Sequence, residues 1–265
     1  MARKRTIEGK EPIFEMEPTQ EGFSIFDYLS VWYGVPKVGK TTLLSKFKDT
    51  YFLVTESGYK FLKIRKSKID NWADFRAFVK KAEKSPKFVS TVKIWVVDPV
   101  DKLAKFCMTY ICDKRGIEHP ADQEWGKGWE AFRDEFAEWT LRLCAVGPGV
   151  AVISHVKERD VITRSMVLTK ETPAMPKTSY TILNDLADII IYIGYEPKKA
   201  GKHKEQRRCL FIRGTETREG GDRTGKLPSQ IVFETEQEAV DKLLSYFDTK
   251  REGIKHAKRR RKRKA

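Results

Sequence analysis

The sequence predicts an α/β fold, a mainly parallel, doubly wound sheet flanked by helices. Three observations predict it. Short apolar runs alternate with stretches whose apolar residues recur at helical spacing. Several of those runs lack polar alternation, as expected of strands covered on both faces. The first run, Val31-Trp32-Tyr33, leads into the glycine-rich stretch Gly34-Val35-Pro36-Lys37-Val38-Gly39-Lys40-Thr41-Thr42 and then into Leu43, Leu44 and Phe47 at helical spacing. A strand, a loop and a helix in that order open an α/β unit.

Residues 1–22 are polar, contain Pro12 and Pro18, and read as a flexible N-terminal arm. A single domain is expected over residues 23–249, because 265 residues suffice for one large buried core. Within it, Val31–Tyr33, Tyr51–Thr55, Val92–Val97, Val150–Ser154, Ile189–Ile193 and Cys209–Ile212 read as strands. Asn71 is placed to cap a helix carrying Trp72, Phe75 and Val79, and Val100, Leu103, Cys107 and Ile111 trace another. Trp129, Phe132, Phe136, Trp139 and Leu143 recur at steps of three and four until Gly147-Pro148-Gly149 ends the run, so this aromatic stripe reads as core. Residues 156–178 read as a long loop, and loops of that length are commonly functional.

Gly34–Thr42 fits the phosphate-binding pattern G-x-x-x-x-G-K-[ST]. Glycines at both ends let the loop curl so that its N–H groups point inward, ahead of a helix N-terminus. The whole stretch, Gly34, Val35, Pro36, Lys37, Val38, Gly39, Lys40, Thr41 and Thr42, is the candidate nucleotide cradle, with ATP the expected ligand. Lys40 would reach the β and γ phosphates, and Thr41 would offer its hydroxyl to Mg²⁺, a hard cation that takes oxygen ligands.

Asp98 ends the strand Val92–Val97 at the sheet edge where the loop opens, and takes the Walker B role of orienting Mg²⁺ and its waters. It also reads as a helix cap ahead of Pro99. Pro99 has no acid to offer, so the base that activates water is sought on the neighbouring strand end, where Glu56 follows Thr55; Asp101 is its rival. Ser154-His155 closes the next strand where the long loop begins, and His155 is a candidate γ-phosphate sensor.

The formal charge of +15 is uneven: Lys255, Lys258, Arg259, Arg260, Arg261, Lys262, Arg263 and Lys264 contribute +8 of it. Residues 250–265 therefore read as a disordered basic tail, with Lys258, Arg259, Arg260 and Arg261 gripping nucleic-acid backbones without sequence preference. No apolar run approaches the ~20 residues that cross a bilayer, so no membrane partner and a cytoplasmic location are expected. Cys107, Cys112, Cys144 and Cys209 form no C-x-x-C pair and read as reduced thiols rather than metal ligands.

Together, Gly34–Thr42, Glu56 after the next strand, Asp98 without a following acid and Ser154-His155-Val156-Lys157 resemble the RecA-like P-loop NTPase core. With Asp185-Leu186-Ala187-Asp188-Ile189-Ile190 and Gly221-Asp222-Arg223-Thr224-Gly225, the chain is similar over roughly residues 23–235 to the phage-encoded RecA-like ATPases of the Sak-type single-strand annealing group. That resemblance implies Mg-dependent ATP hydrolysis, binding of single-stranded DNA and self-assembly into a ring or filament, with a single-strand-binding protein as a further candidate partner. By position it turns residues 156–178 toward DNA, with Lys157, Arg159, Arg164, Lys170 and Lys177 as backbone contacts. It also implies an arginine acting on the neighbouring subunit's phosphates: Arg213, or else Arg218 or Arg223. The lack of a second folded domain favours annealing over strand exchange. A helicase-like or loader ATPase in replication, and a small-molecule kinase, are the alternative readings, and in a phage the location would be the host cytoplasm.

Overall fold

The computed structural model describes residues 24–162, 166–197 and 206–247. The expected arm, Arg164, and the basic tail with Lys258, Arg259, Arg260 and Arg261 lie outside the described residues.

The chain enters the core at Ile25 and forms β1 (Leu29–Gly34), then α1 (Lys40–Leu44), β2 (Thr50–Val54) and β3 (Arg65–Lys68). Next come α2 (Trp72–Glu83), the single turn α3 (Pro86–Val89), β4 (Ile94–Asp98), α4 (Val100–Arg115) and α5 (Lys127–Ala145). The second half holds β5 (Gly149–Ile162), β6 (Val167–Pro173), α6 (Lys177–Leu186), β7 (Ile189–Pro197), β8 (Gln206–Phe211), β9 (Gly221–Asp222), β10 (Gln230–Phe233) and α7 (Glu236–Phe247). Asn71 caps α2 by accepting from the Asp74 N–H, as its residue type predicts.

The sheet runs in the order β10-β8-β7-β1-β5-β4-β2-β3. From β7 to β3 every neighbouring pair is parallel, while β8 and β10 add antiparallel strands at one edge. A parallel sheet must be covered on both faces, and the two cores meet that demand. One face buries Tyr33, Trp95, Phe132, Phe136 and Trp139 under α2, α4, α5 and α6. The other buries Trp32, Leu43, Phe52, Ile191 and Leu243 under α1 and α7. Adjacent Trp32 and Tyr33 thus point into opposite cores, which is why β1 shows no polar alternation.

Three features differ from the sequence reading. β3 is a charged strand with a single neighbour, and edge strands carry lysine and arginine without cost because one side faces water. Asp98 does not cap α4, whose N-cap is Pro99; the carboxylate turns toward α1 instead. Residues 156–178 are not a loop: β5 continues past the sheet and pairs antiparallel with β6 from Val156↔Pro173 to Ile162↔Val167, and α6 follows. The charged alternation Lys157-Glu158-Arg159-Asp160 suits a two-stranded ribbon exposed to water, and it hides the strand from a search for apolar runs.

Candidate active site

β1 and β4 are separated by β5, and both end at the sheet edge where β5 runs on into the hairpin. The glycine-rich loop leaves β1 there. Gly34 passes so close to β7 that a Cβ would lie 2.2 Å from the Ile193 carbonyl oxygen, so only glycine fits. Gly39 caps α1 at φ 100, a left-handed conformation that glycine adopts without strain.

Lys40 opens α1 and is buried, with Nζ donating to the carbonyls of Gly34 and Val35 at 2.9 Å each. Burial lowers its pKa, opposed by the nearby charges of Asp98 and Asp101. The Thr41 hydroxyl donates to Asp98 Oδ2 at 2.7 Å. Asp98 is held from behind: the Tyr59 hydroxyl and the Thr55 N–H donate to its carbonyl at 2.9 and 3.0 Å. Burial raises the Asp98 carboxyl to about 6, against the hydrogen bonds of Thr41 and Tyr59 and the charge of Lys40.

β2 lies beside β4, with Val54 opposite Asp98, so Glu56 emerges at the same edge. Lys40, Thr41, Glu56, Asp98 and His155 line one cavity of about 580 Å³. Asp101 takes a different part. One of its oxygens accepts from the Ser154 hydroxyl, and the other accepts the His155 N–H at 2.9 Å and faces His155 Nδ1 at 3.1 Å. Those bonds raise the His155 pKa and leave Asp101 an anchor for the histidine, while Glu56 stands at the cavity wall.

Pro36, Lys37 and Thr42 line the same cavity, Val35 contributes its carbonyl, and Val38 is a core residue that pins the loop. Phe61 also lines it and is 73 % exposed. Spacing gave no hint of this ring, because Tyr59 and Phe61 share one short 3-10 turn, too brief to show a periodic pattern.

The predicted hairpin cations divide. Lys157 and Lys177 are exposed. Arg159 is turned inward: it donates to Thr172 Oγ1 at 2.9 Å and to the carbonyls of Pro173 and Met175, with its guanidinium 5.1 Å from the Tyr180 ring. Lys170 pairs with Glu219 at 3.1 Å. Arg159 and Lys170 are therefore structural cations of the hairpin root rather than free backbone contacts.

The arginine assignments change with the direction of β8. Because β8 runs antiparallel to β7, Arg213 lies past its end at the edge opposite the phosphate loop, exposed and away from its own chain's site. Arg218 bonds Glu171 and packs over the Tyr192 and Phe211 rings, and Arg223 donates to the Asp185 carbonyl. The arginine that β8 does bring to the loop is Arg208, which the sequence reading passed over.

A hard cation needs oxygen donors, and the Thr41 hydroxyl with the Asp98 carboxylate is such a set, already in contact beside the loop. The residues fit Mg²⁺ bound together with a triphosphate. No helix among the described residues is long and apolar enough to cross a membrane.

A family model described as an AAA domain matches residues 28–224. The SPbeta prophage-derived uncharacterized protein YorG of Bacillus subtilis (strain 168) is 29% identical over 170 residues, which are 61% of this chain and 49% of that protein. The chain thus spans about half the length of that relative. The KaiC-like protein PH0186 of Pyrococcus horikoshii OT3 aligns with a TM-score of 0.41 and 15% identity, over 71% of this chain and 79% of that one.

Proposed function

Given that the chain belongs to the AAA domain family, the P-loop ATPases, we propose that it hydrolyses ATP with Mg²⁺ and couples turnover to single-stranded DNA in phage-type recombination by annealing. The observation that carries the hydrolytic part is the Thr41–Asp98 contact facing Glu56 across one cavity at the mouth of the phosphate loop.

In this reading Lys40 exchanges the Gly34 and Val35 carbonyls for phosphate oxygens, which are stronger acceptors because they are charged. Thr41 would hold Mg²⁺ directly and Asp98 through water, and the bound cation would neutralise charge on the phosphates. Glu56 orients the attacking water and takes its proton. His155, fixed by Asp101, donates toward the terminal phosphate. Phe61 offers a ring face at the cavity mouth on which a base can stack.

The DNA part rests on charge and on a prophage-derived relative. Exposed Lys157 and Lys177 flank the hairpin that grows from the strand behind His155. Such cations attract phosphate backbones through counterion release, independently of sequence. Action as a homo-oligomer, with Arg213 reaching a neighbouring copy, belongs to the same proposal.

The test is ATP turnover with and without single-stranded DNA at two salt concentrations, for the wild type and Glu56→Gln. The wild type is expected to be stimulated by DNA in a salt-sensitive way. Glu56→Gln should bind ATP with wild-type affinity and lose roughly 100-fold or more in turnover. Normal hydrolysis by that variant would remove Glu56 as the base, and turnover that requires a small phosphate acceptor instead would establish a kinase.

A further inference from the structure

Behind the phosphate loop, on the side away from Glu56 and Asp98, a second cavity of about 500 Å³ is lined by Lys37, Gly39, Thr42, Arg207, Arg208 and Glu236. Its wall is an ion pair set against the loop itself. Arg208 comes from the start of β8 and bonds Glu236, the first residue of α7. A Cβ built on Gly39 would lie 3.2 Å from Glu236 Oε1 and 3.3 Å from an Arg208 guanidinium nitrogen. Arg208 is further held by the Glu234 carbonyl at 2.6 Å and lies over the Phe233 ring.

That placement has an electrostatic consequence. A carboxylate this close to the loop opposes the binding of phosphates there, and a guanidinium this close favours it. Arginine's planar fork matches phosphate oxygens as well as it matches a carboxylate, so the two anions compete for the same donors. The neighbouring Arg207 also lines the cavity but is committed to Glu196 at 2.6 Å, which leaves Arg208 as the arginine set against the loop.

We propose that Arg208 is a second cationic ligand for the nucleotide's phosphate chain, acting within its own chain, and that Glu236 is the counter-ion it must leave to do so. The proposal rests on the nucleotide reading above and adds a residue and a control to that site. Because the pair stands beside Gly39 and Thr42 rather than beside Asp98, Arg208 serves the α and β phosphates and acts on ADP and ATP alike. Glu236 then sets affinity: a bound nucleotide must displace it, and any movement of α7 that withdraws it makes binding tighter.

The experiment is titration of the full chain with fluorescent ADP and ATP analogues, with thermal melts alongside, for the wild type, Arg208→Gln, Glu236→Gln and the double variant. Arg208→Gln is expected to weaken both nucleotides about tenfold, the usual cost of a charge-assisted bond. Glu236→Gln should tighten both several-fold, and the gain should vanish in the double variant. A gain that survives without Arg208 would reduce Glu236 to a bystander charge and overturn the proposal. So would unchanged affinity in Glu236→Gln, a variant conservative enough to keep the fold if Arg208→Gln melts early. Absence of nucleotide binding by the wild type would remove the nucleotide reading itself.

Discussion

Asp98 shows what a buried carboxylate costs the fold. The residue is 5 % exposed at the end of β4, where burial raises its carboxyl to about 6, and the hydroxyls of Thr41 and Tyr59 and the charge of Lys40 only partly offset the cost. Asp98→Asn keeps an oxygen to accept from Thr41 but carries no charge to desolvate. In nucleotide-free protein, at a pH above that value, this variant is expected to melt higher, by on the order of 1–3 kcal/mol, while losing Mg-dependent turnover. Equal or lower stability in a denaturant titration would show that the charge is better solvated than its burial implies. Lys40, Thr41, Asp98 and Glu56 were legible in the sequence because each stands at a strand end or in a spaced motif, and parallel strands present their ends at one edge. Arg208 and Phe61 were not, because their positions depend on which way a distant strand runs and how a turn folds.

At the scale of elements, the β5–β6 hairpin is the feature that apolar patterning missed, and its root is tied twice to the sheet edge that carries the phosphate loop. The Ser154 hydroxyl donates to Asp101 and accepts the Ala174 N–H at 2.9 Å, joining α4 to the end of β6. The Tyr33 hydroxyl, on the strand that feeds the phosphate loop, reaches the carbonyls of Glu171 and Glu219 at 3.2 and 2.6 Å. The two classes of hairpin cation should separate in experiment. Arg159→Gln removes bonds to buried carbonyls and is expected to cost about 1–3 kcal/mol of stability. Lys157→Gln with Lys177→Gln should leave the melt unchanged while weakening single-stranded DNA binding and lowering its logarithmic salt slope by about 1.4, roughly 0.7 for each lysine. A salt slope that changes with Arg159 and not with Lys157 and Lys177 would invert the assignment.

Over the whole molecule, one sheet with a core on each face places the phosphate loop, Asp98, Glu56 and the hairpin root along a single edge. Of the formal charge of +15, the last eleven residues of the sequence contribute +8. Deleting residues 255–265 is expected to weaken DNA binding and flatten its salt dependence without altering the melting temperature or the DNA-independent turnover. Unchanged affinity in a binding titration would assign the tail another task.

Residue order along the chain was enough to establish the α/β class, the phosphate loop and the acidic groups opposite it. Each of these follows from local spacing: a glycine curl between a strand and a helix, and carboxylates at parallel strand ends. Which cations are free and which are committed was decided only in the folded chain. A charge is available or spent according to its partner, and the partners of Arg159, Lys170 and Arg208 lie 13 or more residues away, brought close by tertiary pairings that no local pattern announces.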